Sequence, residues 1–386
     1  LKRQGILNDI LIQDIRAAIK QEIDAGLETA YNEPLPEASV TNEERDLFAP
    51  YDFAPTPPRS QARSGRRFVD AISDGLKQAM EKYPQSVVMG QDVAEYGGVF
   101  KITEGFVDHF GKARVRNTPL CESAILGVGL GLSVKKYKAI VEMQFADFVT
   151  CGFNQIVNNL AKIHYRWGQN ADVVVRMPTG AGVGAGPFHS QSNEAWFFHT
   201  PGLKIVYPSS PYDAKGLLTA AIEEPNPIMY FEHKALYRSI TEDIPDDYYT
   251  LPIGKARVVQ AGEDISIITY GMGVHWARQI VAEMFPNQPD TVEILDLRTL
   301  LPWDKAAVEA TVKKTGKVIV AHEDNLTGGI GAEIAAWIAE HCFQYLDAPV
   351  MREGSLDTPV PFSSTLEQIY LPKERIKEKM TTLLNF

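Results

Sequence analysis

Glu122 closes the segment Thr118–Glu122 and stands immediately before the Gly-rich stretch Ser123–Leu132. A cofactor that supplies its own carbanion chemistry needs from one protein partner a well-placed carboxylate and an apolar slot. Each glycine inside a helix costs about 1 kcal/mol unless close packing requires it, so we expect another segment to approach this helix tightly. The residues alone leave a second interpretation open, in which Glu122 only complements the helix dipole.

A second candidate group is the loop Gly180–Gly186, which has glycine at alternate positions and leads to His189. It follows an apolar segment at 172–178, and loops after the carboxyl ends of parallel strands are where such folds place their sites. We therefore interpret His189 as functional and the more distant His199 as an ordinary polar residue. The loop is not a dinucleotide fingerprint, because it leads to Pro187 rather than into a helix.

Other chemistries lack their motifs. The histidines show no paired metal-ligand spacing with cysteines or carboxylates. Neither a phosphate-binding G-x-x-x-x-G-K-[ST] loop nor a G-x-S-x-G nucleophile motif is present. The chain also lacks a Gly-Asp-Gly followed by Asn-Asn, the element that holds a diphosphate through magnesium.

Apolar runs alternate with helical patterns and predict two α/β domains with mainly parallel sheets covered by helices. The first set of predicted strands is 86–90, 138–145, 172–178, 203–208 and 227–232, with helices at 66–82, 122–136, 149–167 and 211–223. After a Pro- and acid-rich break at 241–252, the second set comprises strands 264–270, 292–298 and 317–322 and helices 273–285, 304–314 and 330–345.

The beginning of the chain has a different pattern. Isoleucines at three- and four-residue spacing predict an amphipathic helix over 9–31, and the Pro-rich segment 32–64 reads as an extended arm. The predicted organisation is an N-terminal helix and arm over 1–64, one domain over 65–245 and a second over 246–386. Since the sequence starts at Leu1 without Met, we expect something upstream to be missing or removed.

The composition limits the kinds of partner and the compartment that we expect for this chain. The chain has 386 residues, 45% of them hydrophobic and 23% charged, which is ordinary for a globular protein. A formal charge of −11 argues against nucleic acid as a partner, and no apolar run approaches the ~20 residues of a bilayer span. Three well-separated cysteines favour reduced thiols. We therefore expect a protein of the cytoplasm or of an organelle matrix.

Four motifs, taken in order, resemble the β subunit of the decarboxylating component of 2-oxo acid dehydrogenase complexes, and most of all its branched-chain (2-oxoisovalerate) members. They are Asn117–Glu122, Glu142–Phe148, Phe188–Ser192 and Asp296–Asp304. The segments Lys314–Lys317 and His322–Glu323, with Leu326–Gly329, add to the likeness, which covers 66–386. It implies a transketolase-like pyrimidine-binding domain followed by a transketolase C-terminal domain.

The resemblance also implies a thiamine diphosphate cofactor shared between two chains. This chain would bind the pyrimidine, and an α chain in an α2β2-like assembly would hold the diphosphate and Mg2+, which is in keeping with the missing Gly-Asp-Gly element. The glutamate matching Glu122 hydrogen-bonds the aminopyrimidine ring and shares a proton with it in a desolvated slot. The cofactor then acts as the electron sink for decarboxylation of a small 2-oxo acid.

Further roles are implied residue by residue. Gln144 and Phe148 match positions that line the aminopyrimidine, although many members have Tyr where Phe148 stands, and Leu120 matches an apolar contact. His189 matches an active-site histidine suited to orient the substrate carboxylate or to move protons during acyl transfer to lipoyl groups. Glu224 and Asn226 match a segment that often binds a monovalent cation such as K+, but a helix end before Pro227 explains them equally well.

Several alternatives stay open from the sequence. The substrate is a branched-chain 2-oxo acid or, in a related interpretation, pyruvate, and a non-catalytic assembly scaffold is the alternative from a different class. The acidic chain suits docking to a lipoyl-bearing dihydrolipoamide acyltransferase, whose binding module is basic in this family, although solvated surface charge explains the acidity as well. Residues 1–64 resemble the end of the family's α chain, which raises the hypothesis of an α–β fusion.

Overall fold

Strands and helices alternate along the chain in a computed structural model that describes residues Leu1–Phe386. The strands are β1 (Arg63–Arg67), β2 (Ser86–Gly90), β3 (Val115–Asn117), β4 (Lys138–Glu142), β5 (Val173–Thr179), β6 (Lys204–Val206), β7 (Ile228–His233), β8 (Thr241–Pro245), β9 (Arg257–Gln260), β10 (Ile265–Thr269), β11 (Val292–Asp296), β12 (Thr299–Leu301), β13 (Val318–Asn325) and β14 (Met351–Ser355). The helices are α1 (Asp9–Asn32), α2 (Val40–Arg45), α3 (Phe68–Lys82), α4 (Phe106–Phe110), α5 (Glu122–Val134), α6 (Ile163–Trp167), α7 (Ala195–Phe198), α8 (Pro211–Glu223), α9 (Leu236–Ser239), α10 (Met272–Met284), α11 (Lys305–Thr315), α12 (Ile330–His341), α13 (Ser364–Tyr370) and α14 (Lys373–Leu384).

Two mainly parallel sheets confirm the predicted α/β class. The larger has seven strands in the order β12-β6-β7-β5-β4-β2-β3, and the smaller has five in the order β14-β13-β10-β11-β9. Only the edge strands β12 and β9 run antiparallel to their neighbours. Strands β2, β5 and β7 are buried along their whole length, as expected for strands covered on both faces.

Helices cover the larger sheet on both sides. On one side α3 and α8 pack side chains such as Leu76 and Leu217 against Val88 and Val174. On the other side α5 packs Leu126 among apolar side chains that include Val141. Burial of these apolar faces is the main favourable contribution to the fold.

The C-terminal half of the chain adds a strand to the first sheet. Strand β12 lies beyond the start of the second sheet in sequence, yet it pairs with β6, with Thr299 opposite Val206. No strand was predicted at β12, which has only three residues. The domain boundary at 245/246 stays a prediction. Strand β12 follows that boundary in sequence but belongs to the sheet formed by the strands before it.

The segment predicted as helical over 149–167 is helical, but it is not one regular α-helix. The chain instead forms a 3-10 helix over Ala146–Gly152, a π-helix over Gln155–Leu160 and the short α6. A Cβ on Gly152 would lie 2.2 Å from Leu126 Cδ1 and 3.3 Å from the Glu122 carbonyl oxygen. Contact with α5 therefore sets this backbone, which confirms that another segment approaches the Gly-rich helix closely.

The segment predicted as an arm is partly built into the fold. Strand β1 pairs antiparallel with β8, where the sequence predicted only a linker and a break. Ahead of β1, the backbone N–H of Ala49 donates to Asn226 Oδ1 at 2.8 Å and the N–H of Thr56 donates to Thr250 Oγ1 at 2.8 Å. Both strands are polar and half-exposed, so apolar periodicity could not reveal them.

Residues Leu1–Arg45 form a separate unit. Its main element is α1, which confirms the helix predicted over 9–31 and begins with Asn8 Oδ1 accepting from the Leu11 N–H at 2.8 Å. No residue of α1 is buried, and side chains such as Ile15, Ile19 and Ile23 are exposed. No helix anywhere in the chain has the length and apolarity required to cross a bilayer.

A buried charge cluster ties the middle of the larger sheet together. Arg176 on β5 is 0% exposed, and its guanidinium lies 2.7 Å from Glu142 on β4 and 2.7 Å from Glu232 on β7. Tyr237 OH donates to Glu232 at 2.7 Å. Burial opposes the charge on Arg176, but Glu232 and Glu142 together hold its pKa above the ordinary value. The three strands are thus linked by side chains as well as by their backbones.

Replacing Arg176 by Met should lower the free energy of unfolding by about 3–5 kcal/mol, because it leaves two carboxylates buried without a cation. Urea unfolding measures the change. The exposed Arg166→Met is the matched control and should change the same quantity by less than about 0.5 kcal/mol. An Arg176→Met protein as stable as the parent would show that the cluster does not hold the strands.

Candidate active site

The carboxyl ends of the parallel strands meet at one edge of the larger sheet, and the candidate residues gather there. Gln91 follows β2, Gln144 follows β4 by two residues, and the Gly-rich loop follows β5. Glu122 begins α5 a few residues after β3. The sheet topology therefore brings together groups that are up to a hundred residues apart in sequence.

Glu122 is half-buried and fixed by a neighbour that the sequence did not point to. Gln91 Nε2 donates to Glu122 Oε1 at 2.9 Å, and the other amide atom, Gln91 Oε1, is buried without a partner. The carboxylate also stands in the first turn of α5, where the helix dipole favours negative charge. The position of Glu122 suits a dipole partner, and its role toward a ligand stays a prediction.

His189 lies beside Phe148. The two ring centroids are 5.4 Å apart and nearly perpendicular, and Phe145 meets His189 at 4.8 Å in the same edge-on manner. These contacts place the Gly-rich loop against the 3-10 helix that carries Phe148. Since Gly152 in that 3-10 helix touches α5, His189, Phe148 and the start of α5 belong to one continuous edge.

The remaining predicted contacts differ in exposure. Leu120 is 82% exposed, an unusual position for a leucine next to a conformationally fixed carboxylate. Gln144 is half-buried, and its Nε2 donates to Asp92 Oδ2 at 3.3 Å. Phe148 is half-buried as well. An exposed apolar side chain and a half-buried aromatic ring on the same sheet edge as a carboxylate suit a flat, heteroaromatic ligand.

A cavity of about 430 Å³ opens next to this edge. Its walls include the rings of Phe148, Phe188 and Trp196, and its polar end has Asp147 and Asp324. Burial raises the pKa of Asp324 to about 7 and also raises the pKa of Asp147. The cavity therefore combines an apolar wall with carboxyl groups that hold protons more readily than usual.

Lys234 supports the Gly-rich loop from beneath. It follows β7, donates through Nζ to the Gly180 carbonyl at 2.6 Å, and lies 5.8 Å from the Phe145 ring centre. Burial lowers its pKa from 10.5 to about 8. No sequence motif marked this residue.

Comparison with known proteins identifies the family. Residues 65–239 match the transketolase pyrimidine-binding domain, and residues 254–375 match the transketolase C-terminal domain. The chain is 44% identical over 331 residues to the 2-oxoisovalerate dehydrogenase subunit beta 2, mitochondrial, of Arabidopsis thaliana, covering 85% of this chain and 91% of that one. It is 46% identical to the 2-oxoisovalerate dehydrogenase subunit beta of Bacillus subtilis, with 83% and 98% covered.

The chain belongs to the β-subunit family of 2-oxo acid dehydrogenases. A further relative, the pyruvate dehydrogenase E1 component subunit beta of Staphylococcus aureus, is 41% identical, with 82% of this chain and 98% of that one covered. Among solved structures, a chain described as a split gene transketolase, inactive beta4 tetramer, aligns with a TM-score of 0.68 and 20% identity over 83% of this chain and 99% of that one. This structural likeness confirms the transketolase-like fold.

For this β-family chain, the edge residues fit the pyrimidine half of a thiamine cofactor. Glu122 has a second carboxylate oxygen besides the one bound by Gln91, and Gln91 Oε1 is buried without a partner. Leu120 is exposed and Phe148 is half-buried. The chain contains no group of three His, Cys, Asp or Glu side chains that could hold a metal ion.

The two residues predicted to bind a monovalent cation lie together but already have protein partners. Glu224 Oε1 is 2.8 Å from Lys204 Nζ. Asn226 Nδ2 donates to Glu224 and to the Ala49 carbonyl, and its Oδ1 accepts from Ala49. The cation site stays a prediction, and any cation bound here would share Glu224 with Lys204.

The depressed pKa of Lys234 predicts a pH dependence of stability. Between pH 8 and about 10.4 the unfolded chain binds this proton more readily than the folded one, so stability rises with pH across that window. The free energy of unfolding of the parent should therefore gain about 2–3 kcal/mol relative to Lys234→Met from pH 7.5 to pH 10.

Urea unfolding at both pH values measures this difference. The exposed Lys77→Met is the control and should follow the parent at both pH values. A Lys234→Met protein whose stability changes in parallel with the parent would contradict the depressed pKa.

Proposed function

We propose that this chain is the β chain of a thiamine diphosphate-dependent 2-oxo acid dehydrogenase that decarboxylates a branched-chain 2-oxo acid of the 2-oxoisovalerate type. The acyl group would pass to the lipoamide of a dihydrolipoamide acyltransferase. The observation that carries the proposal is Glu122, fixed by Gln91 at the sheet edge beside Phe148, in a chain 44–46% identical to 2-oxoisovalerate dehydrogenase β subunits.

The cofactor, when bound, supplies the electron sink for decarboxylation. The role of this chain would be to hold its aminopyrimidine ring. Glu122 would share a proton with a ring nitrogen, Phe148 and Leu120 would contact the ring, and Gln144 would line it. Because Gln91 fixes one carboxylate oxygen of Glu122, the other is preorganised toward the ligand.

His189 would act on the substrate side of the same edge. It is half-buried and held edge-on by Phe145 and Phe148, which restricts the ring without removing it from solvent. A titratable imidazole in that position can orient the substrate carboxylate or move a proton during acyl transfer.

The remaining half of the site would come from an α chain in an α2β2-like assembly. That chain would hold the diphosphate and Mg2+, in keeping with the missing Gly-Asp-Gly element of this chain. The relatives are named as β subunits, so each works with at least one other kind of chain. We therefore expect the isolated β chain to bind thiamine diphosphate weakly or not at all.

Pyruvate is the second candidate substrate, because a pyruvate dehydrogenase subunit beta is 41% identical. The higher identity to 2-oxoisovalerate dehydrogenase subunits favours the branched-chain acid. Rates on the two acids, measured with the α chain present, separate the candidates.

Glu122→Gln should lower the rate of 2-oxoisovalerate decarboxylation by about 10²–10⁴-fold, because the amide cannot share the proton that the carboxyl group shares. The rate is measured with the α chain, thiamine diphosphate and Mg2+ present. The surface variant Glu309→Gln, which removes a charge from α11, is the control and should keep the parent rate. Near-normal turnover of Glu122→Gln, with assembly intact, would favour a scaffold or a site elsewhere.

The α–β fusion also stays a proposal, supported by the likeness of residues 1–64 to the end of an α chain. If it is correct, mass spectrometry of protein prepared freshly with protease inhibitors should find one polypeptide that contains both α and β sequences. A separate α gene product together with a native β chain starting at Leu1 would exclude the fusion.

A further inference from the structure

The Gly-rich loop is held by carboxylates from the other half of the chain. Glu367 on α13 accepts the Gly182 N–H through Oε1 at 2.8 Å and the Gly184 N–H through Oε2 at 3.1 Å. Glu323 on β13 accepts the Ala181 N–H at 2.5 Å. Three backbone N–H groups of the loop therefore donate to two glutamates that lie more than 130 residues away in sequence.

These hydrogen bonds are formed in a shielded position. Glu367 and Glu323 are each 5% exposed, so their negative charges strengthen the bonds to the backbone N–H groups. Glu323 Oε2 also lies within hydrogen-bond distance of His233 Nε2, at 2.6 Å. Neither glutamate contacts Glu122 or Phe148, and neither has a role in the decarboxylation chemistry proposed above.

The end of the loop is shaped by the same half of the chain. Gly186 has φ +70°, and a Cβ there would lie 2.3 Å from the ring of Phe362, just ahead of α13. Only glycine combines this backbone conformation with so close an approach. From Gly186 the chain makes one 3-10 turn to Phe188, which is followed by His189, so two residues separate Gly186 from His189.

We propose that Glu367 is a positioning residue for His189. By fixing Gly182 and Gly184 it sets where the 3-10 turn begins and therefore where the imidazole meets Phe145 and Phe148. The C-terminal domain would thus determine the geometry of an active-site histidine without supplying a reacting group. This inference rests on the proposed function only for the consequence in catalysis, since the positioning itself is a property of the chain.

A purely structural role of Glu367 is the competing explanation. Glu353 provides the matched comparison, because it is also buried in the C-terminal half, at 4% exposed, but pairs with Arg375 rather than with the loop. Both Glu367→Gln and Glu353→Gln remove a buried negative charge while keeping the side-chain shape. A general loss of stability would appear in both, whereas displacement of His189 would appear only in Glu367→Gln.

The first measurement is the NMR signal of the His189 ring, identified by its disappearance in His189→Ala. We expect the signal to shift in Glu367→Gln and to keep its parent position in Glu353→Gln. An unshifted signal in Glu367→Gln would overturn the proposal, whatever the activity of the variant.

The second measurement is a double-mutant cycle on kcat/KM for 2-oxo acid decarboxylation and lipoyl acylation in the enzyme assembled with its α chain. Glu367→Gln should lower kcat/KM for the step that depends on His189 by about 10-fold in the parent. In the His189→Ala background it should lower the same kcat/KM by less than about 2-fold. Two losses that multiply would contradict positioning. If His189→Ala is fully active while the Glu367→Gln signal still shifts, the proposed role of His189 fails and the positioning stands.

Discussion

The edge of the larger sheet depends on one buried guanidinium. Arg176 links Glu142 and Glu232 across three adjacent parallel strands, and all three strands end close to where the site residues begin. Two carboxylates this deep in an apolar sheet would be costly without that cation, and the cation would be costly without them. Because the cluster sits at the carboxyl ends, its cooperative hydrogen bonding keeps the loops that follow β4, β5 and β7 in register.

At that edge the chain brings together the residues of the candidate site. Glu122 and Phe148 provide a carboxylate and a ring at the edge, and Gln91 restricts the carboxylate to one orientation. No metal-binding group accompanies them. The second half of the chain contributes strand β12 to the larger sheet. It also contributes the carboxylates that hold the Gly-rich loop.

The helices and strands predicted best from the sequence are those with buried apolar side chains. The strand over 86–90 and the helix over 211–223 appear with the predicted bounds, because both are continuous buried elements. Strands β1 and β8 were missed because they are polar and exposed on alternate positions. The segment 149–167 is helical as predicted, but it is divided into 3-10, π and α turns, and no local pattern encodes the contact between Gly152 and α5.

The site shows the same division. Glu122, Phe148 and His189 could be named from motifs, since each motif is continuous in sequence. Gln91, Lys234 and Glu367 could not, because each acts through hydrogen bonds to residues distant along the chain. A polar residue in isolation has no signal of that kind until the fold places its partner beside it.

The most direct test is a structure of this chain assembled with its α chain, thiamine diphosphate and Mg2+. The account predicts a carboxylate oxygen of Glu122 within about 3 Å of a pyrimidine ring nitrogen, the ring against Phe148, and the diphosphate and Mg2+ on the α chain. A cofactor bound with its pyrimidine away from Glu122, or with its diphosphate held by this chain, would contradict it.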